Sequence, residues 1–289
     1  MQIARYSLYV DYSPVTAPAL PATLRLGDVA LTVADLDRSI GFYQDALGLQ
    51  VHRREDRVAA LGAGGEDLVV LVEEPGAQTA GRHAGLYHYA LLYPSREELA
   101  RAALRLAFRR TPLQGASDHG THEAIYLADP DGNGIELAAD RPRSEWPDLR
   151  YLHGPQPLDT DGLLGLVAGE DLRRHTGEGL AMGHLHLHVG DVEKGLAFYR
   201  DVLGFELMTR LPSAAFVSAG GYHHHLAFNV WRGANVPPAP PGTVGLRHWT
   251  VVLPSAEDVA AVHGRAGDAV GDDGMIRDPW GIAVRFTSA

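Results

Sequence analysis

The chain contains no cysteine, which excludes disulfides, zinc-thiolate sites and cysteine nucleophiles, so any bound metal must take its ligands from His, Asp or Glu. Cationic side chains are in deficit. With 25 Lys and Arg against 36 Asp and Glu, the formal net charge is −11, and no local basic cluster offers a footprint for a phosphate backbone. Nucleic-acid binding is therefore not expected. Met1 to Arg25 is broken by Pro14, Pro18 and Pro21 and has no basic patch ahead of an apolar run. Neither a signal peptide nor a membrane span is predicted, and the cytoplasm is the default location. What remains is an ordinary globular composition, 289 residues with 45% hydrophobic side chains, a length that suits two domains.

A repeat organises those residues. Val33, Asp35, Phe42, Tyr43, Leu47 and Gly48 recur at one constant offset as Val189, Asp191, Phe198, Tyr199, Leu203 and Gly204. The copies part ways just ahead of this signature, where the second reads Gly183-His184-Leu185 and the first Gly27-Asp28-Val29. A candidate metal-ligating histidine thus stands in one copy only. A finer repeat, Leu86-Tyr87-His88 with Pro94-Ser95 against Leu246-Arg247-His248 with Pro254-Ser255, divides the chain into four modules.

Each module opens with an alternating strand, passes into a helix and closes with strands and turns. In the first, Val29, Leu31 and Val33 alternate with Asp28, Ala30 and Thr32, and Asp35 caps a helix that runs through Tyr43 before Gly48. In the third, Leu185, Leu187 and Val189 share one strand face and His184, His186 and His188 the other. Glu97 to Leu106 and Ala256 to Arg265 are the helices of modules two and four, and Asp129-Pro130-Asp131-Gly132-Asn133-Gly134 and Asp278-Pro279-Trp280-Gly281 are turns before their last strands. Pro142, Pro147, Pro155 and Pro157 mark a connector with a helical patch near Leu163 to Val167, and Pro237 to Pro241 reads as a stiff, extended linker.

The strand-opening His, the Asp-Leu or Asp-Val helix start, Phe-Tyr, Leu-Gly, and Asp-Pro-Asp-Gly-Asn ahead of Ile-Glu-Leu resemble the vicinal oxygen chelate superfamily, which includes glyoxalase I, bleomycin-resistance proteins and type I extradiol dioxygenases. The segments Gly85-Leu86-Tyr87-His88, Ser117-Asp118-His119-Gly120 and Gly220 to His225 are most similar to its two-domain catechol-2,3-dioxygenase type. The resemblance implies an α+β fold of four βαβββ modules forming paired, cup-shaped, partly open β-barrels. The expected divisions are an N-terminal extension (1–23), a first domain (24–140, modules 24–75 and 84–140), a connector (141–180) and a second domain (181–289, modules 181–233 and 244–289).

The resemblance also puts metal ligands at the start of each first strand and on the last strands, in a cup closed by two modules. Here those positions hold Asp28, His88, His184, His248, Glu136 and Arg285. Pairing modules three and four would gather His184, His248 and Arg285, a permanent cation where a divalent ion wants a carboxylate. Modules one and two would give Asp28, His88 and Glu136, an oxygen-rich set suited to manganese or magnesium. Modules two and three would give His88, His184 and Glu136, which leaves open positions on Fe(II) for substrate and dioxygen. This set is the expectation, the Asp28 set is its alternative, and Mn(II) accepts the same ligands as Fe(II). A strand His is more often a hydrogen-bonded interior or surface residue than a ligand, and the chain has 15. His186 and His188 are placed in that class, and His248 is read as a relic. The competing reading of Glu136 is an exposed carboxylate beside a turn.

The resemblance further implies an acid–base histidine in Tyr-His-His-His-Leu-Ala-Phe, assigned to His224, with Tyr126 hydrogen-bonding the substrate oxygen and His119 a second polar contact. Read as a strand, this segment turns His223 and His225 away from His224. Tyr126 also fits a core aromatic with a satisfied hydroxyl, and His122 and Glu123 stand nearby without assigned roles. The implied activity is an Fe(II)-dependent extradiol dioxygenase cleaving a catechol-like diol with dioxygen. Two rivals stand beside it: a metal-dependent isomerase or lyase of the glyoxalase type, and a non-catalytic small-molecule-binding protein of the bleomycin-resistance kind. Ring substituents and oligomeric state are not legible, and a homo-oligomer is compatible with the sequence.

Overall fold

Four helices of matching position begin in the same way, because the residue before each carries a side chain that accepts from the backbone N–H three positions on. Asp35 takes Arg38, Ser95 takes Glu98, Asp191 takes Lys194 and Ser255 takes Asp258. These caps fix where each first strand hands over to its helix. The computed structural model describes residues 17–148 and 154–289. Residues 1–16 of the expected extension and 149–153 of the connector lie outside the described residues.

Module one comprises β1 (Arg25–Val33), α1 (Leu36–Asp45), β2 (Gln50–Glu55), β3 (Val58–Gly62) and β4 (Asp67–Glu73), followed by the short β5 (Gln78–Thr79). Module two comprises β6 (Gly85–Tyr93), α2 (Arg96–Arg109), β7 (Gly115–Asp118), β8 (His122–Ala128) and β9 (Gly134–Asp140). The connector holds β10 (Gln156–Pro157) and α3 (Thr160–Gly165). Module three is β11 (Ala181–His188), α4 (Val192–Tyr199), β12 (Glu206–Leu211), β13 (Ala214–Ser218) and β14 (Leu226–Asn229). Module four is β15 (Thr243–Leu253), α5 (Ala256–Ala266), β16 (Ile276–Arg277) and β17 (Ala283–Ser288). This last module departs from the βαβββ plan. Among the described residues an isolated bridge from Val270 to Ile276 stands where its first hairpin strand belongs.

The sheets pair modules across the two sequential halves. β6 runs antiparallel to β11, joining modules two and three, and β1 runs antiparallel to β15, joining modules one and four. Within each module the first strand lies parallel to the last, as β6 does to β9 and β15 to β17. Consecutive modules are held by side chains instead. The Tyr43 hydroxyl of module one donates to Asp129 in the turn of module two at 3.2 Å, and Tyr199 of module three donates to Asp278 in the turn of module four at 2.8 Å. Buried Arg105 of α2 donates to the carbonyls of Ala46 and Leu47 past α1, as Arg265 of α5 does to those of Val202 and Leu203 past α4. Two cups result, one from modules two and three, the other from modules one and four.

The two faces of β11 show what this does for the site. Leu185, Leu187 and Val189 are buried in the apolar core that underlies the helices, while His184, His186 and His188 are buried on the opposite face, which is the inner wall of a cup. Among the described residues no helix is long and apolar enough to cross a membrane.

Candidate metal centre

Glu136 and the strand-opening histidines meet because three adjacent strands are in register. His184 on β11 stands opposite Ala90 on β6, which stands opposite Glu136 on β9. The middle position of that row carries only a methyl group, so the long side chains on either side meet above it. His88 lies two residues before Ala90 on the same face, opposite Gly134. Gly134 permits this close approach, since a Cβ there would lie 2.0 Å from the Tyr87 carbonyl oxygen.

His88 Nε2 lies 3.1 Å and His184 Nε2 3.2 Å from the same Glu136 oxygen, Oε2. The donor atoms of all three lie within 4.8 Å of one another. Glu136 is 1% exposed, His184 2% and His88 7%. Burial opposes ionisation of Glu136, but the facing imidazoles, His184 foremost, outweigh it and hold the carboxyl well below its usual range. Burial also depresses His184 against the pull of Glu136, which keeps the imidazole neutral. An ionised carboxylate and a neutral imidazole are the states in which these groups bind a metal. No Lys or Arg lines the cavity among the described residues, so the buried carboxylate has no fixed counter-charge there. The His88 and His184 rings are inclined at 69°, with both Nε2 atoms turned to the same Glu136 oxygen. A divalent cation fits these donors by charge and by chemistry.

A second group, His122, Asp140 and His223, also brings its donor atoms within 4.8 Å of one another. It suits an ion poorly. The His122 and His223 rings are stacked at 4.6 Å and 16°, and an ion in the plane of one nitrogen would lie well out of the plane of the other. The group is a hydrogen-bond network. His122 Nε2 lies 3.1 Å from Glu136 Oε1, and its Nδ1 lies 2.8 Å from Thr121 Oγ1. Asp140 accepts from the Tyr222 hydroxyl at 2.8 Å and from His223 Nε2 at 3.2 Å. Burial resists ionisation of Asp140, but those bonds outweigh it and keep the group below its usual range.

The other expected residues gather around the same cavity of about 550 Å³. Tyr126 on β8 lies directly across from Glu136, and its hydroxyl is 2.7 Å from His119 Nε2. Burial, reinforced by the Glu136 charge, pushes the Tyr126 phenol up, while burial and the neighbouring His122 push His119 down to about 4. His224 lines the cavity with its ring 4.2 Å from that of His184. The strand alternation expected of the triplet does not hold. Gly220 and Gly221, both at positive φ, turn the chain, and β14 starts only at Leu226, so His223 and His224 both line the cavity with their Nδ1 atoms 2.8 Å apart. His225 instead accepts from the Ala219 N–H and lies beside Ser218 Oγ.

His186 and His188 sit on either side of Asn229, which donates to His186 Nε2 and accepts from His188 Nδ1, and His186 also lines the cavity. His122 went unassigned in the sequence, yet it shares the inward face of β8 with Tyr126 by period two. Glu123 turns away and pairs with Arg96 at 2.6 Å. The alternative set of Asp28, His88 and Glu136 is not assembled, because β1 pairs with β15 rather than with β6. Asp28 accepts from Thr250 Oγ1 at 2.9 Å and lies 4.0 Å from His248 Nε2 in the other cup.

Comparison with known proteins agrees with this architecture. The family model described as Glyoxalase/Bleomycin resistance protein/Dioxygenase superfamily matches residues 25–137 and 181–286. The chain is 43% identical over 252 residues to a catechol-2,3-dioxygenase of Bacillus subtilis (strain 168), covering 84% of this chain and 88% of that one. It is 30% identical over 152 residues to biphenyl-2,3-diol 1,2-dioxygenase 3 of Rhodococcus globerulus, covering 50% and 78%. The fold also matches crystalline glyoxalase I of Zea mays with a TM-score of 0.57 at 18% identity, covering 92% of each chain. The chain belongs to the glyoxalase/bleomycin resistance protein/dioxygenase superfamily.

Proposed function

We propose that this protein is a cytoplasmic, Fe(II)-dependent extradiol dioxygenase that opens a catechol-like ring beside its two hydroxyls. The observation that carries the reading is the convergence of His88, His184 and Glu136 at one buried point. Its two diol-dioxygenase relatives support it, and the presence of a single carboxylate in the group sets it apart from the more carboxylate-rich glyoxalase type. His88, His184 and Glu136 would hold a ferrous ion, which when bound would supply open positions for diol and dioxygen and electron transfer between them, and Mn(II) would take the same ligands.

The chain's own groups manage protons and orientation. Because ionised Asp140 accepts the Nε2–H of His223, a neutral His223 presents a bare Nδ1 to His224. His224 then carries its hydrogen on Nδ1 and leaves Nε2 free to take a proton. Burial, with the nearby His184 and His223, holds His224 well below the usual imidazole range, so it is neutral at pH 7. It accepts the proton of one diol hydroxyl and returns it as the ring opens. Tyr126, oriented by His119, donates to a diol oxygen.

Anaerobic purification with metal analysis, followed by oxygen-electrode assays on catechols, tests the reading. About one iron per chain, oxygen uptake and a yellow ring-opened semialdehyde are expected. Zinc or nickel with no oxygen uptake would point to the glyoxalase type instead.

A further inference from the structure

Beside the histidines the lining changes character. Leu211 at the end of β12, Phe216 on β13 and Trp231 just past β14 form an apolar wall, and Tyr87 of β6 closes its edge. Trp231 is 51% exposed and Tyr87 40%, unusual for aromatic rings of this size. They are held in place. The Trp231 N–H donates to Asn229 Oδ1 at 2.9 Å, its indole Nε1 donates to Ser213 Oγ at 3.0 Å, and its ring meets Tyr87 edge-on at 5.5 Å. Asn229 is itself clamped between His186 and His188. An exposed indole held by two hydrogen bonds and by ring contact at a cavity mouth forms a pre-organised surface for an apolar ligand.

Volume and charge limit the ligand further. A bare benzenediol has eight non-hydrogen atoms, and 550 Å³ falls in the range of sites that enclose whole, larger small molecules, roughly 300–1,000 Å³. Arg232, adjacent to Trp231, directs its guanidinium to the His83 carbonyl, and Arg143 directs its own to the Gly220 and Gly221 carbonyls. With no Lys or Arg lining the cavity among the described residues, a carboxylate on a ring substituent would be desolvated against this wall with no basic side chain to pair with it.

Resting on the diol-dioxygenase reading, we propose that Trp231, Phe216 and Leu211 form a subsite for an uncharged alkyl or aryl substituent, so that the substrate class is apolar-substituted catechols and carboxylated catechols are refused. The test measures kcat and KM for catechol, an aryl-substituted catechol and 3,4-dihydroxybenzoate with wild type, Trp231→Phe and Trp231→Ala. Binding is followed in parallel through anaerobic quenching of tryptophan emission. The aryl diol should exceed 3,4-dihydroxybenzoate by about 10²-fold or more in kcat/KM. Trp231→Ala should raise KM for the aryl diol about tenfold more than for catechol, with Trp231→Phe recovering most of the loss. Equal losses on both diols, or efficient turnover of the carboxylated one, would overturn the subsite. If no diol is oxidised but the aryl diol still binds in a Trp231-dependent way, the dioxygenase reading falls and the subsite stands. If neither turnover nor binding is seen, both fall.

Discussion

The two cups are built on one register and hold opposite chemistry. In the first, Ala90 stands opposite Glu136, two residues after His88. In the second, Thr250 stands opposite Arg285, two residues after His248. His186 faces His88 across the first seam as Ala30 faces His248 across the second. Matching positions thus carry His184 and Asp28, Ala90 and Thr250, Glu136 and Arg285. Each change removes something a cation needs. Thr250 fills the space that Ala90 leaves open and donates to Asp28, and the Arg285 charge stands where a carboxylate would hold an ion. Burial, then Arg285, also pushes His248 down, and its Nε2 has no hydrogen-bond partner among the described residues. On the proposed reading, the same cup backbone serves a metal in one half and not in the other, and three side chains make the difference.

The largest effect should come from moving a residue of the second cup into the first. Glu136→Arg should lower iron affinity by more than ~100-fold and abolish oxygen uptake, and retained iron would break the comparison. His184→Ala should lose iron and activity while the fold persists, and Asp28→Ala should lose neither. Equal metal loss in the two variants would favour an oxygen-rich site.

Chemistry can then be separated from binding. His224→Phe should keep its iron while ring opening slows by about 10²–10⁴-fold, seen as oxygen consumption at fixed iron content. Because His223 orients His224, His223→Phe should lie between His224→Phe and wild type. Full activity in both variants would make the triplet structural.

A smaller difference concerns acid. In the metal-free protein, burial first of all lowers His119 to about 4, His223 to about 3 and His188 to about 4, all in the first cup. The unfolded chain, with ordinary imidazoles near 6.5, binds more protons than the folded one between pH 6.5 and about 4, so stability falls as pH falls through that window. Protection against hydrogen exchange, corrected for the intrinsic pH dependence, should therefore fall at pH 5 in β8 and β11 before β1 and β15. Simultaneous loosening of both cups would contradict this.

Much of this was legible in the chain. The constant offset exposes the repeat, and the charge of Arg285 is enough to disfavour pairing modules three and four, although the partners are distant in sequence. Ile135 and Leu137 mark Glu136 as strand-borne by alternation. The triplet departs from the expected alternation because alternation applies only within a strand, and the paired glycines at 220 and 221 bend the chain before β14 begins. His122 was within reach of the same rule applied backwards from Tyr126. Asp140 and Trp231 gave no sequence signal, since each acquires its role from residues brought near by folding.

The most direct measurement is anomalous diffraction at the iron edge from crystals reconstituted with Fe(II) without oxygen. One peak at coordination distance from His88 Nε2, His184 Nε2 and the Glu136 carboxylate is predicted, with none in the cup of Asp28, His248 and Arg285. A peak beside Asp28, or no iron between modules two and three, would contradict the assignment.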